Sequence, residues 1–392
     1  MGRILTSIPQ VGIQVLRQEK FHLLQGKRVG LFTNPSAVDE RMQTTYGILS
    51  EAESVDLVAL YGAEHGAFGT IQDGEHITSG VDERTGIPVY SLYGKRYRPT
   101  AEMLADIDVM VCDIQDIGVR YYTYQWTMTH VIDACGEFGI PVVVLDRPNP
   151  LGDTVAGAPL DEGFSSLVGR FNVPIQHGMT IGEMMRMHNG LWNPTPTDLH
   201  VIPCNDYGRA TRWEDFERPF VPPSPNMPNL TTVKQYPGAC LIEGTNLSEG
   251  RGTTLPFEIV GAPFIDGHHL AQALNALHLP DVRFRPHGFT PVARKFVGQT
   301  CEGVQVHITG AKFQPIKTWL CVIQTIIQHY RDDFAWLPPY ENSNLLPFDR
   351  LIGNDDVRGL LENDVPVQDI IDAWDADIEA FLDRRQRYLM YP

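Results

Sequence analysis

Asp108-Val-Met-Val-Cys-Asp113, a helix-compatible run from Tyr124 to Phe138 closed by Gly139, and Pro141-Val-Val-Val-Leu-Asp146 together decide the fold. Two short apolar runs flank a segment of helical length, and glycine is a strong helix stop. Apolar runs that do not alternate with polar residues belong to strands buried on both faces, as in a parallel sheet covered by helices. Moving toward the N-terminus, Ile87-Pro-Val-Tyr-Ser-Leu92, Val55-Asp-Leu-Val-Ala-Leu60 and Arg28-Val-Gly-Leu-Phe-Thr33 read as further strands, with a helix over 39–53. Toward the C-terminus, Thr180-x-x-Glu183 is a capping box that opens a helix to about His188, and Leu199-His-Val-Ile-Pro203 follows as a strand. The alternation places the chain in the α/β class.

Beyond this unit the pattern changes. Pro219, Pro222, Pro223, Pro225 and Pro228 forbid regular structure, so 219–228 reads as a rigid crossing near a domain boundary. Phe289 to Ile308 reads as two strands around Gly298–Gly303, and Pro315 to Tyr330 as an apolar helix with proline in its first turn. Pro366 to Tyr388 reads as one amphipathic helix, acidic at its start and basic at its end, as the macrodipole favours.

The 392 residues are enough for two domains, and the 43% hydrophobic and 20% charged composition is that of a globular protein. The net charge of −17 repels phosphate backbones, so nucleic acid is excluded as the main partner. Cys112, Cys135, Cys204, Cys240, Cys301 and Cys321 form no C-x-x-C pair and read as buried, reduced thiols. No apolar run is long enough for a membrane span, and Met1 to Gln10 holds no long apolar leader segment. That pattern reads as cytoplasmic, or as exported if a leader has been removed. Oligomeric state leaves no trace in the sequence.

In open parallel sheets ligands bind at the carboxyl ends of the strands. The loops there are Thr33-Asn-Pro-Ser36, Tyr61-Gly-Ala-Glu-His-Gly66, Asp113-Ile-Gln-Asp-Ile-Gly-Val-Arg-Tyr-Tyr-Thr-Tyr124 and Asp146-Arg-Pro-Asn-Pro-Leu-Gly152. Their carboxylates, arginines, amides and tyrosines suit a neutral polyhydroxylated ligand better than a phosphate. Glu64, beside His65 between two glycines, is the best single catalytic candidate; a solvated loop carboxylate is the alternative. Asp113 and Asp146 read as loop-holding groups. Asp116 and Arg120 read either as a mutual ion pair or as ligand contacts. Tyr121, Tyr122 and Tyr124 read as packing at a helix start or as a pocket wall, since tyrosine offers a flat face and a hydroxyl. Glu183 is accounted for by its cap, whereas His177 before it is not. Glu249 and Arg251 read equally as a structural ion pair or as a loop reaching the site. No G-x-G-x-x-G follows the first strand. G-x-x-x-x-G-K-[ST], G-x-S-x-G and H-E-x-x-H are also missing, which disfavours cofactor, phosphoryl-transfer, nucleophile-elbow and zinc chemistry.

Taken in order, several segments resemble one bacterial family, the NamZ-like exo-β-N-acetylmuramidases. They are Gly30-Leu-Phe-Thr-Asn-Pro-Ser36, Glu64-His-Gly66, Asp113 to Tyr122, Asp146 to Gly152, His177-Gly-Met-Thr-Ile-Gly-Glu183, Ser224-Pro-Asn-Met-Pro228, Glu243 to Thr254 and Pro256-Phe-Glu258. One departure is Asp153 where a second glycine is common in the family. The resemblance implies a Rossmann-like N-terminal domain over 1–240 without a nucleotide, and a smaller C-terminal α/β domain over 241–392. The active-site cleft would lie between them. It implies removal of N-acetylmuramic acid from the non-reducing ends of peptidoglycan-derived saccharides, with no cofactor and no metal, and places the family's general acid on Glu64. The expected partner is Asp116 or Glu249 activating water, or the substrate's own acetamido group. Arg120, Arg147 or Arg251 would bind the lactyl carboxylate. Asn34 and Asn149 would contact sugar hydroxyls, and His65, Tyr121, Tyr122 and His177 complete the expected binding set.

Overall fold

β1 (Arg28–Thr33) is buried from Val29 onward because it lies between two parallel neighbours, β2 (Asp56–Gly62) and β5 (Val109–Asp113). The computed structural model describes residues 8–69, 79–341 and 343–392. From β1 the chain moves outward through β2, a short β3 (Gly80–Val81) and β4 (Pro88–Ser91). It then returns to β5 and moves the other way through β6 (Val142–Leu145) to β9 (Leu199–Ile202). The order is β3-β4-β2-β1-β5-β6-β9, parallel throughout except for β3 against β4. Without β3 this is the doubly wound Rossmann order, and its reversal point lies between β1 and β5. β7 (Val155–Ala156) and β8 (Gln176–His177) form a separate small ribbon.

Local chemistry accounts for the helix bounds. The helix expected over 39–53 spans only Thr45–Glu51. Asp39 accepts bonds from the Arg41 and Gln43 amides and folds the preceding residues into a turn. Thr44 then caps the helix by accepting from the Gly47 amide. Helix Thr123–Phe138 ends at Gly139 in the left-handed region, φ 68°. The capping box of helix Ile181–Leu191 forms in both directions, Glu183 N to Thr180 Oγ1 at 3.2 Å and Thr180 N to Glu183 Oε2 at 3.0 Å.

The second, smaller unit has an antiparallel sheet, β10 (Ile259–Ala262), β12 (Cys301–Ile308) and β11 (Val282–Phe289), in the order β10-β12-β11. The expectation of two strands within 289–308 is corrected. The first strand ends at Phe289 and residues 290–300 form the connection. Helix Pro315–His329 packs against helix Leu230–Ala239. Gly238 permits the approach, since a Cβ there would collide with the Pro315 carbonyl. The single helix expected over 366–388 is divided into Val367–Asp372 and Asp375–Arg385. The Trp374 amide bonds three residues back, to Ile371, and buried Trp374 marks the bend. The chain end returns to the large sheet, where Tyr391 donates to Asp146 and Arg385 to the His177 and Gly178 carbonyls.

All six cysteines are free and buried. Among the described residues no helix is long and apolar enough to cross a membrane.

Candidate active site

The turn after β2 is set by two backbone constraints. A Cβ at Gly62 would collide with the Ala67 amide, so only glycine lets the chain fold back there. His65 and Gly66 then adopt positive φ, 69° and 79°, and the Gly66 amide bonds to the Ala63 carbonyl at 2.9 Å. A histidine in the left-handed region carries strain of a kind found at functional turns. The turn leaves Glu64 half-buried, with Oε2 accepting from Thr123 Oγ1 at 2.8 Å. Thr123 is the first residue of helix Thr123–Phe138, so the carboxylate stands at a positive helix end.

Glu64 and His65 open onto a cavity of about 530 Å³, within the roughly 300–1,000 Å³ range of ligand sites. The near wall carries Tyr121 and Tyr122 from the loop after β5, Tyr124 from the first turn of the helix that follows, and Ser224, Asn226 and Met227 from the proline-rich crossing. The crossing is tied down by its Pro223 carbonyl, which accepts from Asn34 Nδ2 at 3.0 Å and from the Tyr124 hydroxyl at 2.6 Å. Tyr122 packs edge-on against Tyr124 and Tyr236, and Tyr236 against Phe257, which carries the aromatic wall into the second unit.

The far wall carries Glu243, Glu249, Arg251 and Lys295. Arg251 Nη1 lies 2.7 Å from Glu243 and 3.4 Å from Glu249, with its guanidinium over the Phe257 ring. Lys295 Nζ donates to Glu249 at 3.1 Å and to the Leu247 carbonyl at 2.8 Å. Burial works to raise the pKa of both carboxyls, and they separate because their neighbours differ. Lys295 and Arg251 outweigh burial at Glu249 and hold it below its ordinary value. At Glu243 burial prevails over Arg251, and the charge of Glu249 adds to the rise.

The structure therefore brings together Glu64, His65, Tyr121, Tyr122, Glu249 and Arg251. It does not bring the other six expected residues to the cavity wall. Arg120 is fully buried, and its guanidinium donates to the Ala158, Val173, Leu351 and Ile352 carbonyls at 2.6, 2.9, 2.7 and 2.7 Å. It forms no pair with Asp116. Arg147 is spent on a buried two-point pair with Asp113. Asn149 accepts from the Leu151 amide and donates to the Met179 carbonyl, which shapes its own turn. Asn34 braces Ser36 and the crossing. His177 accepts from the Met179 amide, and burial lowers its pKa to about 3, so the ring is neutral. Asp116 lies behind the tyrosines, accepts from the Gly118 amide at 2.7 Å, and is pushed by burial to about 7.

Tyr97, Tyr236, Glu243, Lys295 and Arg350 line the cavity without having been singled out in the sequence. Glu243 opens a segment already quoted for the family resemblance. Tyr97 lies in the loop after β4, a strand end like those that supplied the other candidates, whereas Arg350 follows no strand and gave no signal.

Two family models account for nearly all of the chain. The N-terminal model of the exo-β-N-acetylmuramidase NamZ matches residues 29–231, and the C-terminal model matches 235–391. The chain is 44% identical over 384 residues to the peptidoglycan β-N-acetylmuramidase NamZ of Bacillus subtilis strain 168, covering 97% of this chain and 91% of that protein. Two crystal structures of DUF1343 family proteins from Bacteroides fragilis share the architecture. One has a TM-score of 0.90 at 37% identity over the whole of both chains. The other has 0.76 at 31% identity, covering 98% of this chain and 99% of that one.

Proposed function

The chain belongs to the NamZ family of exo-β-N-acetylmuramidases, and from that premise we propose that it releases N-acetylmuramic acid from the non-reducing ends of peptidoglycan fragments, with Glu64 as general acid. We place the substrate in the cleft between a catalytic unit through residue 240 and an auxiliary unit from 241 onward. One observation carries the reading. Of the carboxylates that line the cavity among the described residues, Glu243 and Glu249 are held in ion pairs and Glu64 is not. A carboxyl group without an ion partner is the one left for the substrate to engage, and a general acid must reach the glycosidic oxygen directly.

In this reading Glu64 gives its proton to the glycosidic oxygen as the bond to the anomeric carbon breaks. Glu249, kept ionised by Lys295 and Arg251, faces the positive charge that develops on the sugar. A carboxylate so held is a poor base, which favours the acetamido oxygen of the substrate as the group that attacks the anomeric carbon. Water then opens the cyclic intermediate, and the Glu64 carboxylate takes the proton back.

A second reading has its own support. Glu243 and Glu249 share Arg251 and are pushed in opposite directions, the pattern of an acid and base set. Glu243 would then donate the proton and Glu64 would bind sugar.

The direct test of the activity is product analysis on a disaccharide of N-acetylmuramic acid linked to N-acetylglucosamine. The expected products are the two free sugars. Released acetate, or an intact disaccharide bound without turnover, contradicts the proposal.

A further inference from the structure

A chain with a net charge of −17 repels an anionic sugar unless cations are concentrated where it binds. The cavity concentrates them, with Arg251, Arg294, Lys295 and Arg350 on its wall. They are not equivalent. Arg251 sits between Glu243 and Glu249, and Lys295 is spent on Glu249 and backbone carbonyls. Arg294 stands exposed at the rim with φ 68°. Arg350 is partly buried, and among the described residues its guanidinium pairs with no carboxylate. The guanidinium carbon lies over the face of Tyr340, 5.3 Å from the ring centroid. A guanidinium held over an aromatic face is attracted through its charge and does not spend its N–H groups there, which leaves the fork that fits a carboxylate.

The position of Arg350 is fixed from behind. It lies in helix Pro347–Ile352, whose terminal carbonyls, those of Leu351 and Ile352, are held by the buried Arg120. Glu64, Tyr97 and Arg350 line the same cavity, which places a carboxylate and a guanidinium on the wall that one bound sugar would meet.

We propose that Arg350 is the specificity determinant of the cavity, gripping the carboxylate of the lactyl ether on the 3-position of the sugar while Glu64 faces the glycosidic oxygen. The inference rests on the muramidase reading of the site. It moves carboxylate recognition away from Arg120, Arg147 and Arg251 to a residue on a short C-terminal helix. A sugar without the lactyl group leaves Arg350 unanswered, and that is the basis of discrimination against N-acetylglucosamine.

The test compares a chromogenic β-N-acetylmuramide with its lactamide, in which the carboxylate has become a neutral amide. Wild type, Arg350→Met, Arg350→Lys and Arg294→Met are assayed on both. Arg350→Met is expected to lose about 10- to 100-fold in kcat/KM on the acid, the scale of a charge-assisted contact. The loss should fall mainly in KM, with little change on the amide, and Arg350→Lys should recover part of it. An equal loss on acid and amide overturns the proposal, as does a loss of acid preference in Arg294→Met instead. If wild type cleaves neither glycoside, the muramidase reading fails. Calorimetric binding of free N-acetylmuramic acid and its amide then decides Arg350 by itself. An acid preference lost in Arg350→Met supports the assignment; one retained in that variant, or missing from wild type, overturns it.

Discussion

The carboxyl edge of the parallel sheet has two halves with opposite fates. Over β1, β5 and β6, Asp113 and Arg147 close a buried pair, and Asp146 accepts from Thr180, Gly182 and Tyr391. Asn34 bonds to the proline-rich crossing, which lies across this part of the edge. This is the reversal point, where a doubly wound sheet usually takes its ligand, and here protein fills it. Over β2 and the start of helix Thr123–Phe138, the same kinds of residue face a cavity instead. Charged residues at strand ends thus serve either to lock loops or to meet substrate. What separates the two is whether another part of the chain supplies their partners.

The largest effect that would break this comparison is on stability. Asp113→Ala leaves the Arg147 guanidinium buried without its carboxylate, a change that costs about 3–5 kcal/mol. Urea unfolding should show that loss, and unchanged stability would erase the distinction between the locked half and the open one.

A smaller effect separates Asp116 from the cavity carboxylates. Burial lifts its pKa to about 7, above the value of about 3.9 expected in the unfolded chain. Between those values the folded chain keeps a proton that the unfolded chain has released, so stability falls as pH rises through the window. Asp146, lifted by burial to about 6, acts with the same sign. Asp116→Asn should remove its share of the slope, at most about 1.4 kcal/mol per pH unit. Unfolding midpoints from about pH 5 to about pH 7 measure it. A slope identical to wild type would mean that Asp116 titrates as an ordinary carboxylate.

The parallel sheet was legible because strands buried on both faces leave continuous apolar runs, as in Val142-Val-Val-Leu145. The capping box at Thr180 and the stop at Gly139 were legible because each is a local hydrogen-bond or backbone requirement. Strand-end placement also identified Glu64 and the tyrosines. It could not separate Arg147 from Arg350, because that depends on contacts distant in sequence. Arg147 meets Asp113 on the neighbouring strand, whereas Arg350 reaches the cavity from a helix more than 200 residues later. The bend at Trp374 was equally hidden, since the apolar spacing of 366–388 is continuous across it.

The role of Glu64 is tested most directly by leaving-group dependence. Wild type and Glu64→Gln are compared on the natural disaccharide and on a β-N-acetylmuramide with a dinitrophenyl leaving group, which departs without a proton. With Glu64 as the acid, the variant loses about 10²- to 10⁴-fold in kcat/KM on the disaccharide and little in kcat/KM on the activated glycoside, because kcat/KM ends at departure of the leaving group and does not register the later step in which Glu64 takes a proton from water. Equal losses on both substrates would contradict the account, as would this dependence appearing in Glu243→Gln and not in Glu64→Gln.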